Sequence, residues 1–172
     1  PFSCLIYIGG ASCTYTISFL RRHPHLKAIV FDLPEVIPLA AERLAAEGLS
    51  DRAQSIAGDF YEDELPRGCD LALLSAIIHQ NSLTENVALF EKIFRALEPG
   101  GVGRIRVDIM DEARGSPAAG AVFAVNMLAN THGGDTYTFA EIKAVLEKAG
   151  FVNISQLRTG ERMDCLVEAT KP

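Results

Sequence analysis

The chain has 172 residues, a length that fits one domain, and its 48% hydrophobic content can fill one core, which excludes a disordered chain. A formal net charge of −6 excludes the strongly basic surface that binds a phosphate backbone, so nucleic acid is not an expected partner. No apolar run approaches the roughly 18 residues that span a bilayer, and no leader pattern opens the sequence, so no membrane partner is expected and the protein reads as soluble and cytoplasmic. Cys4, Cys13, Cys69 and Cys165 have no CxxC spacing, which predicts neither a zinc site nor a disulfide framework but four reduced thiols.

The chain begins at Pro1 and enters its first strand by Leu5, which reads as part of a longer protein. Leu5 to Ile8 is a short apolar strand, Gly9 and Gly10 make a turn, and Thr14 to Arg22 is helical. Such a strand, glycine turn and helix bring backbone N–H groups close to a ligand. "LKAIVFDLPEV" gives a second strand ending at Asp32, and "EVIPLAAERLAAEGL" a helix stopped by Gly48. "AQSIAGDF" is a third strand ending at Asp59. The near-continuous apolar run "CDLALLSAIIH" is what a central parallel strand buried on both faces requires, and it ends near Ser75.

A capping box, Ser82 with Glu85, opens the next helix, whose apolar stripe runs through Val87, Phe90, Ile93, Phe94 and Leu97 before Pro99-Gly100-Gly101 halts it. Strand five, "VGRIRVDI", ends near Asp108. A helix from about Pro117 to Ala129 leads to "HGGD", and a second capping box, Thr138 with Glu141, opens "FAEIKAVLEKAG". "VNISQL" and "RMDCLVEAT" close the chain as a strand pair without an intervening helix. The fold class is therefore α/β: a mostly parallel seven-stranded sheet with an antiparallel edge hairpin and helices on both faces.

This order of elements, with acids at the ends of strands two and three, resembles the Rossmann-like class I S-adenosylmethionine-dependent methyltransferases. The closer likeness is to the small-molecule O-methyltransferases of plants and bacteria, through "VFDLPEV", "AGDFYEDELP", "AIIH", "FRALEPGG" and "GGDTYTFAEIKAVLEKAGF". The resemblance implies that residues 1–172 form the C-terminal catalytic domain. It also implies that the family's helical dimerisation domain, through which a homodimer would form, is absent from this chain. S-adenosylmethionine would be the cofactor and a small aromatic or polyketide-like hydroxyl compound the acceptor.

Gly9 and Gly10 would approach the cofactor. Asp32, 22 residues beyond Gly10, is spaced as a ribose-binding acid, with Leu33 beside it; its alternative is the start of the Leu33-Pro34 turn. Asp59 and Phe60 match the family positions beside the adenine, where a carboxylate accepts the exocyclic amine and an apolar face meets the ring. A plain Gly-Asp turn is their alternative. Ser75 corresponds to the approach of the methionine part, or else caps its own backbone. His79 matches the family's base, able to take a proton from a phenolic hydroxyl. Gln80 and Asn81 stand where an acid and an aromatic normally follow it. Asp108 matches the acid that faces this base and orients its imidazole. Asn126 and Met127 fall where the family lines its acceptor pocket, although a core role suits the methionine better. His23, His25 and His132 make no metal triad with His79 by spacing, so no metal is expected.

The opening loop departs from the family pattern at three positions: Tyr7 for an acid, Ala11 and Cys13 for glycines. Alanine is tolerated at position 11 only where φ is negative, Cys13 adds a Cβ and sulfur where the backbone should approach the ligand, and Tyr7 removes a carboxylate that would organise the loop and the cofactor's amino-acid end, so weakened cofactor binding is expected. Two alternatives to an O-methyltransferase remain open: a non-catalytic binding module on the same fold, and a tailoring enzyme that keeps the cofactor for other chemistry.

Overall fold

The structure, a computed structural model, describes residues 1–160 and 163–172. Along the chain come β1 (Cys4–Ile8), α1 (Thr14–Arg22), β2 (Lys27–Asp32), α2 (Ile37–Ala46), β3 (Ala53–Ala57) and β4 (Cys69–Ser75). A single 3₁₀ turn (Ile78–Gln80), α3 (Leu83–Ala96), β5 (Leu97–Val107) and β6 (Ile109–Met110) follow. Last come α4 (Ala118–Asn130), β7 (Tyr137–Thr138), α5 (Phe139–Lys148), β8 (Val152–Arg158) and β9 (Cys165–Thr170).

Seven of these strands form one sheet in the order β3-β2-β1-β4-β5-β9-β8. The first five run parallel, and β9 lies antiparallel between β5 and β8, which is the expected edge hairpin with its second strand inserted inward. Parallel strands need crossovers, and the right-handed winding of a chain that starts in the middle of a sheet and reverses direction after β3 leaves a crevice between β1 and β4. All the loops that follow β1 to β5 open on that one edge.

The alternation of inward residues fills two apolar layers. Ile6, Ile8, Leu74, Ile105 and Val107 meet Phe90 and Ile93 of α3 and Ile142 and Leu146 of α5 on one face. Leu5, Ala28, Val30 and Leu71 meet Ile17 and Leu20 of α1 and Ala40 and Leu44 of α2 on the other. Both capping boxes are formed: the Ser82 and Thr138 hydroxyls accept from the Glu85 and Glu141 N–H groups, and each glutamate reaches back to its cap. Gly48, at φ +68°, ends α2 in the left-handed conformation that glycine adopts without steric penalty.

Several boundaries differ from the expectation. α3 stops at Ala96, before Pro99, and β5 begins at once at Leu97 because that residue pairs with Cys69 ahead of a bulge in the β4–β5 ladder. β3 ends at Ala57, two residues short of Asp59. The Gly58 N–H instead turns to the Asp32 carbonyl at 2.9 Å, and the Phe31 ring occupies the space a Cβ at Gly58 would need. A short parallel pair, β6–β7, adds to these elements, and its two-residue strands carry no periodic signal in the sequence. The reading of four reduced thiols is corrected: Cys4 and Cys69 are bridged, with Cα atoms 4.5 Å apart, while Cys13 and Cys165 are free and buried. The two bridged residues are 65 positions apart and become neighbours only because β1 and β4 pair, a relationship that spacing cannot reveal. Among the described residues, no helix is long and apolar enough to cross a membrane.

Candidate active site

The turn after β1 is built by the protein's own packing. Gly9 has φ +70° and donates to the Phe31 carbonyl at 2.9 Å, and a Cβ there would lie 2.6 Å from Ile77 Cδ1. Gly10 rests on the Tyr7 ring, which would be 2.3 Å from an added Cβ. Tyr7 is buried, and desolvation raises its phenol pKa, with the Ser75 side chain pulling the other way. Cys13 caps α1 at φ +55°, without a side-chain cap bond. Its sulfur points inward, 3.5 Å from the Ala11 carbonyl oxygen and 3.8 Å from that of Ala40. The expectation that Cys13 obstructs a ligand is therefore corrected. Its side chain belongs to the core beneath the loop, and the strain it adds is in its backbone.

Asp32, at the end of β2, ties this loop down: Oδ2 accepts from the Ala11 N–H at 2.9 Å and Oδ1 from the Leu33 N–H at 2.8 Å. Each carboxylate oxygen keeps a second lone pair for another donor. The Leu33 side chain stands exposed beside it. After β3, Asp59 Oδ1 accepts from the Tyr61 N–H at 2.9 Å, and Phe60 packs against the core with its ring centroid 4.5 Å from that of Tyr61. Lys92 of α3 braces this second loop, donating to the Phe60, Tyr61 and Asp63 carbonyls at 2.8 to 2.9 Å. An open cavity of about 560 Å³ lies beside it, lined by Asp59, Tyr61, Gln80 and His132 among others.

Ser75 ends β4, and the 3₁₀ turn that follows carries His79. Four bonds fix that turn: Asn86 Nδ2 holds the Ile78 carbonyl at 2.9 Å, the Asp135 N–H holds that of His79 at 3.0 Å, the Tyr137 hydroxyl holds that of Asn81, and Asn81 Nδ2 reaches Asn86 Oδ1 at 3.1 Å. Gln80 and Asn81 serve a linkage of their own. Gln80 Nε2 donates to the Tyr61 hydroxyl at 2.9 Å, which donates to Asn81 Oδ1 at 2.5 Å, joining the histidine turn to the Asp59–Phe60 loop.

The imidazole of His79 is only 1% exposed. Its Nε2 accepts from the Asp108 backbone N–H at 3.3 Å and lies 3.1 Å from Met163 Sδ. Its Nδ1, which carries the proton in that tautomer, is buried without a partner of good geometry. Phe123 of α4 meets the ring edge-on at 5.3 Å. Burial pushes the His79 pKa down to about 4, opposed by the backbone of Asp135. Asp108 reaches the imidazole through its backbone, and its own carboxyl is held by the Met163 N–H. Desolvation raises its pKa against the nearby Arg106 charge.

Every strand-end residue singled out from sequence sits on the C-terminal edge of the parallel strands. On α4 the picture differs: Asn126 is exposed and accepts from Asn130 Nδ2 at 2.9 Å along its own helix, Met127 is half-buried, and Phe123 is the residue that touches the imidazole. Phe123 lies one helical turn before Met127, so the periodicity of α4 held that signal. Met163 had none, because it comes to His79 from the hairpin between β8 and β9.

The sheet order and the gathering of these residues at its switch point define a Rossmann-like class I methyltransferase fold. Within that class the chain belongs to the O-methyltransferase domain family, which it matches over residues 1–152. It is 37% identical over 151 residues to the 3-hydroxy-5-methyl-1-naphthoate 3-O-methyltransferase of Streptomyces sahachiroi, covering 88% of this chain and 44% of that protein. It is 35% identical over 153 residues to the tetracenomycin polyketide synthesis 8-O-methyl transferase TcmO of Streptomyces glaucescens, covering 89% and 45%. The crystal structure of human N-acetylserotonin methyltransferase in complex with SAM superposes with a TM-score of 0.88 at 27% identity, covering 99% of this chain and 48% of that one. The chain thus spans about half the length of the relatives it matches.

Proposed function

We propose that residues 1–172 are the catalytic domain of an S-adenosylmethionine-dependent O-methyltransferase acting on a hydroxyl of a small aromatic or polyketide-like molecule. The observation that carries this reading is the meeting of Asp32, Asp59, Ser75 and His79 on one strand edge, behind a glycine turn whose Gly9 lies in the left-handed region. The residues suit the reaction: Asp32 keeps lone pairs for a ribose diol, Asp59 and Phe60 offer an acceptor and a ring face to adenine, and His79 has an unprotonated Nε2 that meets only a long backbone N–H bond and a thioether sulfur.

When bound, S-adenosylmethionine supplies an electrophilic methyl group. Leu33, Gly9 and Gly10 would hold the nucleoside, and Ser75 the amino-acid end. His79 would accept the hydroxyl proton at Nε2, the nitrogen that has no hydrogen, once Met163 yields its place to the acceptor and the Asp108 N–H releases the single lone pair it occupies in the resting site. Until then the Asp108 N–H sets the imidazole plane, and Phe123, with Asn126 and Met127 one turn on, would form the acceptor side. Holding the oxygen in line supplies most of the acceleration, and proton removal adds to it.

Titration calorimetry of the chain with S-adenosylhomocysteine and a methyl-transfer assay on naphthol acceptors test this proposal. Binding with turnover is expected. Binding without turnover on any acceptor would favour the non-catalytic module, a reading that the Tyr7 ring packed beneath Gly10 also supports. Absence of binding would overturn the cofactor assignment.

A further inference from the structure

Strand β5 carries two arginines on its uncovered face, since Ile105 and Val107 between and beyond them point into the opposite core. Their surroundings differ. Arg104 stands directly across the ladder from Glu168 and pairs with it at 2.9 Å, with its guanidinium over the Phe2 ring. Arg106 stands across from Leu166, and among the described residues no carboxylate comes within ion-pair distance of it. Among the described residues its Nη1 donates only a long bond, 3.4 Å, to Ser75 Oγ, and its guanidinium lies 5.8 Å from the Tyr15 ring centroid. The Asp108 carboxyl is near enough to feel this charge, yet it does not pair with the guanidinium, and a half-buried cation without a bonded counter-charge is disfavoured unless something supplies one.

The position of this cation gives it a task. Ser75 and Arg106 are register partners on β4 and β5, and Tyr15 lies in the first turn of α1, a turn with no side-chain cap. Tyr7, on the strand next to β4, meets Tyr15 edge-to-face at 6.0 Å and completes the wall. The neutral phenol at position 7 leaves the guanidinium without the competitor that a carboxylate there would be. We propose that Arg106 is the anchor for the α-carboxylate at the amino-acid end of the cofactor, with Ser75 and the free N–H groups of α1 sharing that load. This rests on the cofactor reading above and assigns its anionic end to a residue that the sequence pattern left out. A guanidinium offers a carboxylate two parallel N–H donors, and a partly desolvated site strengthens each of them.

The test compares S-adenosylhomocysteine, which carries the carboxylate, with its methyl ester and with 5′-methylthioadenosine, which lack it, by titration calorimetry. On the unmutated chain, S-adenosylhomocysteine should bind at least about 10-fold more tightly than its ester. Arg106→Gln should lose about 30-fold or more of the S-adenosylhomocysteine affinity, leave 5′-methylthioadenosine unchanged, and abolish discrimination against the ester. Arg106→Lys, which keeps charge and stem if the glutamine variant fails to fold, should lose less but with the same selectivity. Equal binding of acid and ester by the unmutated chain would overturn the proposal, as would an equal loss for all three probes in a folded variant. An unmutated chain that binds none of the probes would overturn the cofactor reading itself, and this proposal with it.

Discussion

The Nε2 atom of His79 accepts the Asp108 backbone N–H at 3.3 Å, so the imidazole is aligned by a main-chain donor rather than by a carboxylate. A backbone donor fixes the ring plane but adds no negative charge to stabilise the protonated imidazole. Together with near-complete burial, that arrangement keeps the ring neutral.

The first expectation concerns pH. The His79 pKa is depressed to about 4 in the folded protein against 6.5 for a free imidazole side chain, so the unfolded chain binds the extra proton first. Stability should be fully present above pH 6.5 and decline as pH falls from 6.5 to 4, by about 3 kcal/mol in all. Urea midpoints at pH 7.5 and pH 4.5, compared for the parent and His79→Gln, check this. An identical pH slope in both would reject burial of a neutral imidazole.

Met163 controls access to the same nitrogen, with its sulfur 3.1 Å from Nε2. Met163→Ala should admit water and bring the imidazole back toward its ordinary value, raising its pKa by about one unit or more. Nuclear magnetic resonance titration of the His79 ring measures the shift. If the reading of His79 as base is right, the variant should also move the acid limb of the rate profile upward.

His79→Ala should lower turnover on a phenolic acceptor by about 100-fold or more while the S-adenosylhomocysteine dissociation constant stays within about twofold. Parallel calorimetry and rate assays separate the two. Equal losses in both would assign the residue a structural role in its turn.

Much of the fold was legible because its signals are local and periodic. The apolar run ending at Ser75, the two capping boxes and the glycine stop at Gly48 each report short-range physics that the tertiary structure leaves standing. The strand-end acids were legible for the same reason: parallel strands put their C-terminal ends on one edge whatever the side chains do. The residues that set the electrostatics of the site were not. Met163, Phe123 and Arg106 reach it from three other elements, and the Cys4–Cys69 bridge joins strands adjacent only after crossover. The replacements Gln80 and Asn81, which looked like losses from a catalytic segment, instead carry the Tyr61 bridge between two loops.

Asp32 serves two loops at once, which shapes what its removal does. Asp32→Ala should weaken S-adenosylhomocysteine binding by roughly 1.5 to 3 kcal/mol, the cost of losing hydrogen bonds to a charged acceptor. It should also free the Ala11 N–H and loosen the glycine turn. Calorimetry reads the first effect, and hydrogen exchange at Ala11 the second. An unchanged dissociation constant would reject the ribose role even if the amide exchanges faster.

The departures in the opening loop separate by where their side chains point. The Tyr7 ring fills the space under Gly10, so Tyr7→Asp replaces a buried aromatic by a carboxylate and a void, and should destabilise the fold by about 3 kcal/mol or more. Arg106, without an ion-pair partner among the described residues, can recover part of that loss by bonding the new acid, but it would then be withdrawn from any ligand carboxylate. Cys13→Gly behaves differently. Relief of a left-handed non-glycine residue is worth about 1 to 2 kcal/mol, whereas the added glycine freedom costs roughly 0.5 to 1 kcal/mol, and loss of the buried thiol takes up the remainder. The net change in stability should be near zero. Since the sulfur faces Ala40 and not the ligand side, S-adenosylhomocysteine affinity should stay within about threefold of the parent, less than 1 kcal/mol. Thermal melts and calorimetry on the two single variants check both halves. A tenfold gain in affinity from Cys13→Gly would mean that the backbone at position 13, rather than the Tyr7 wall, limits the approach of the cofactor.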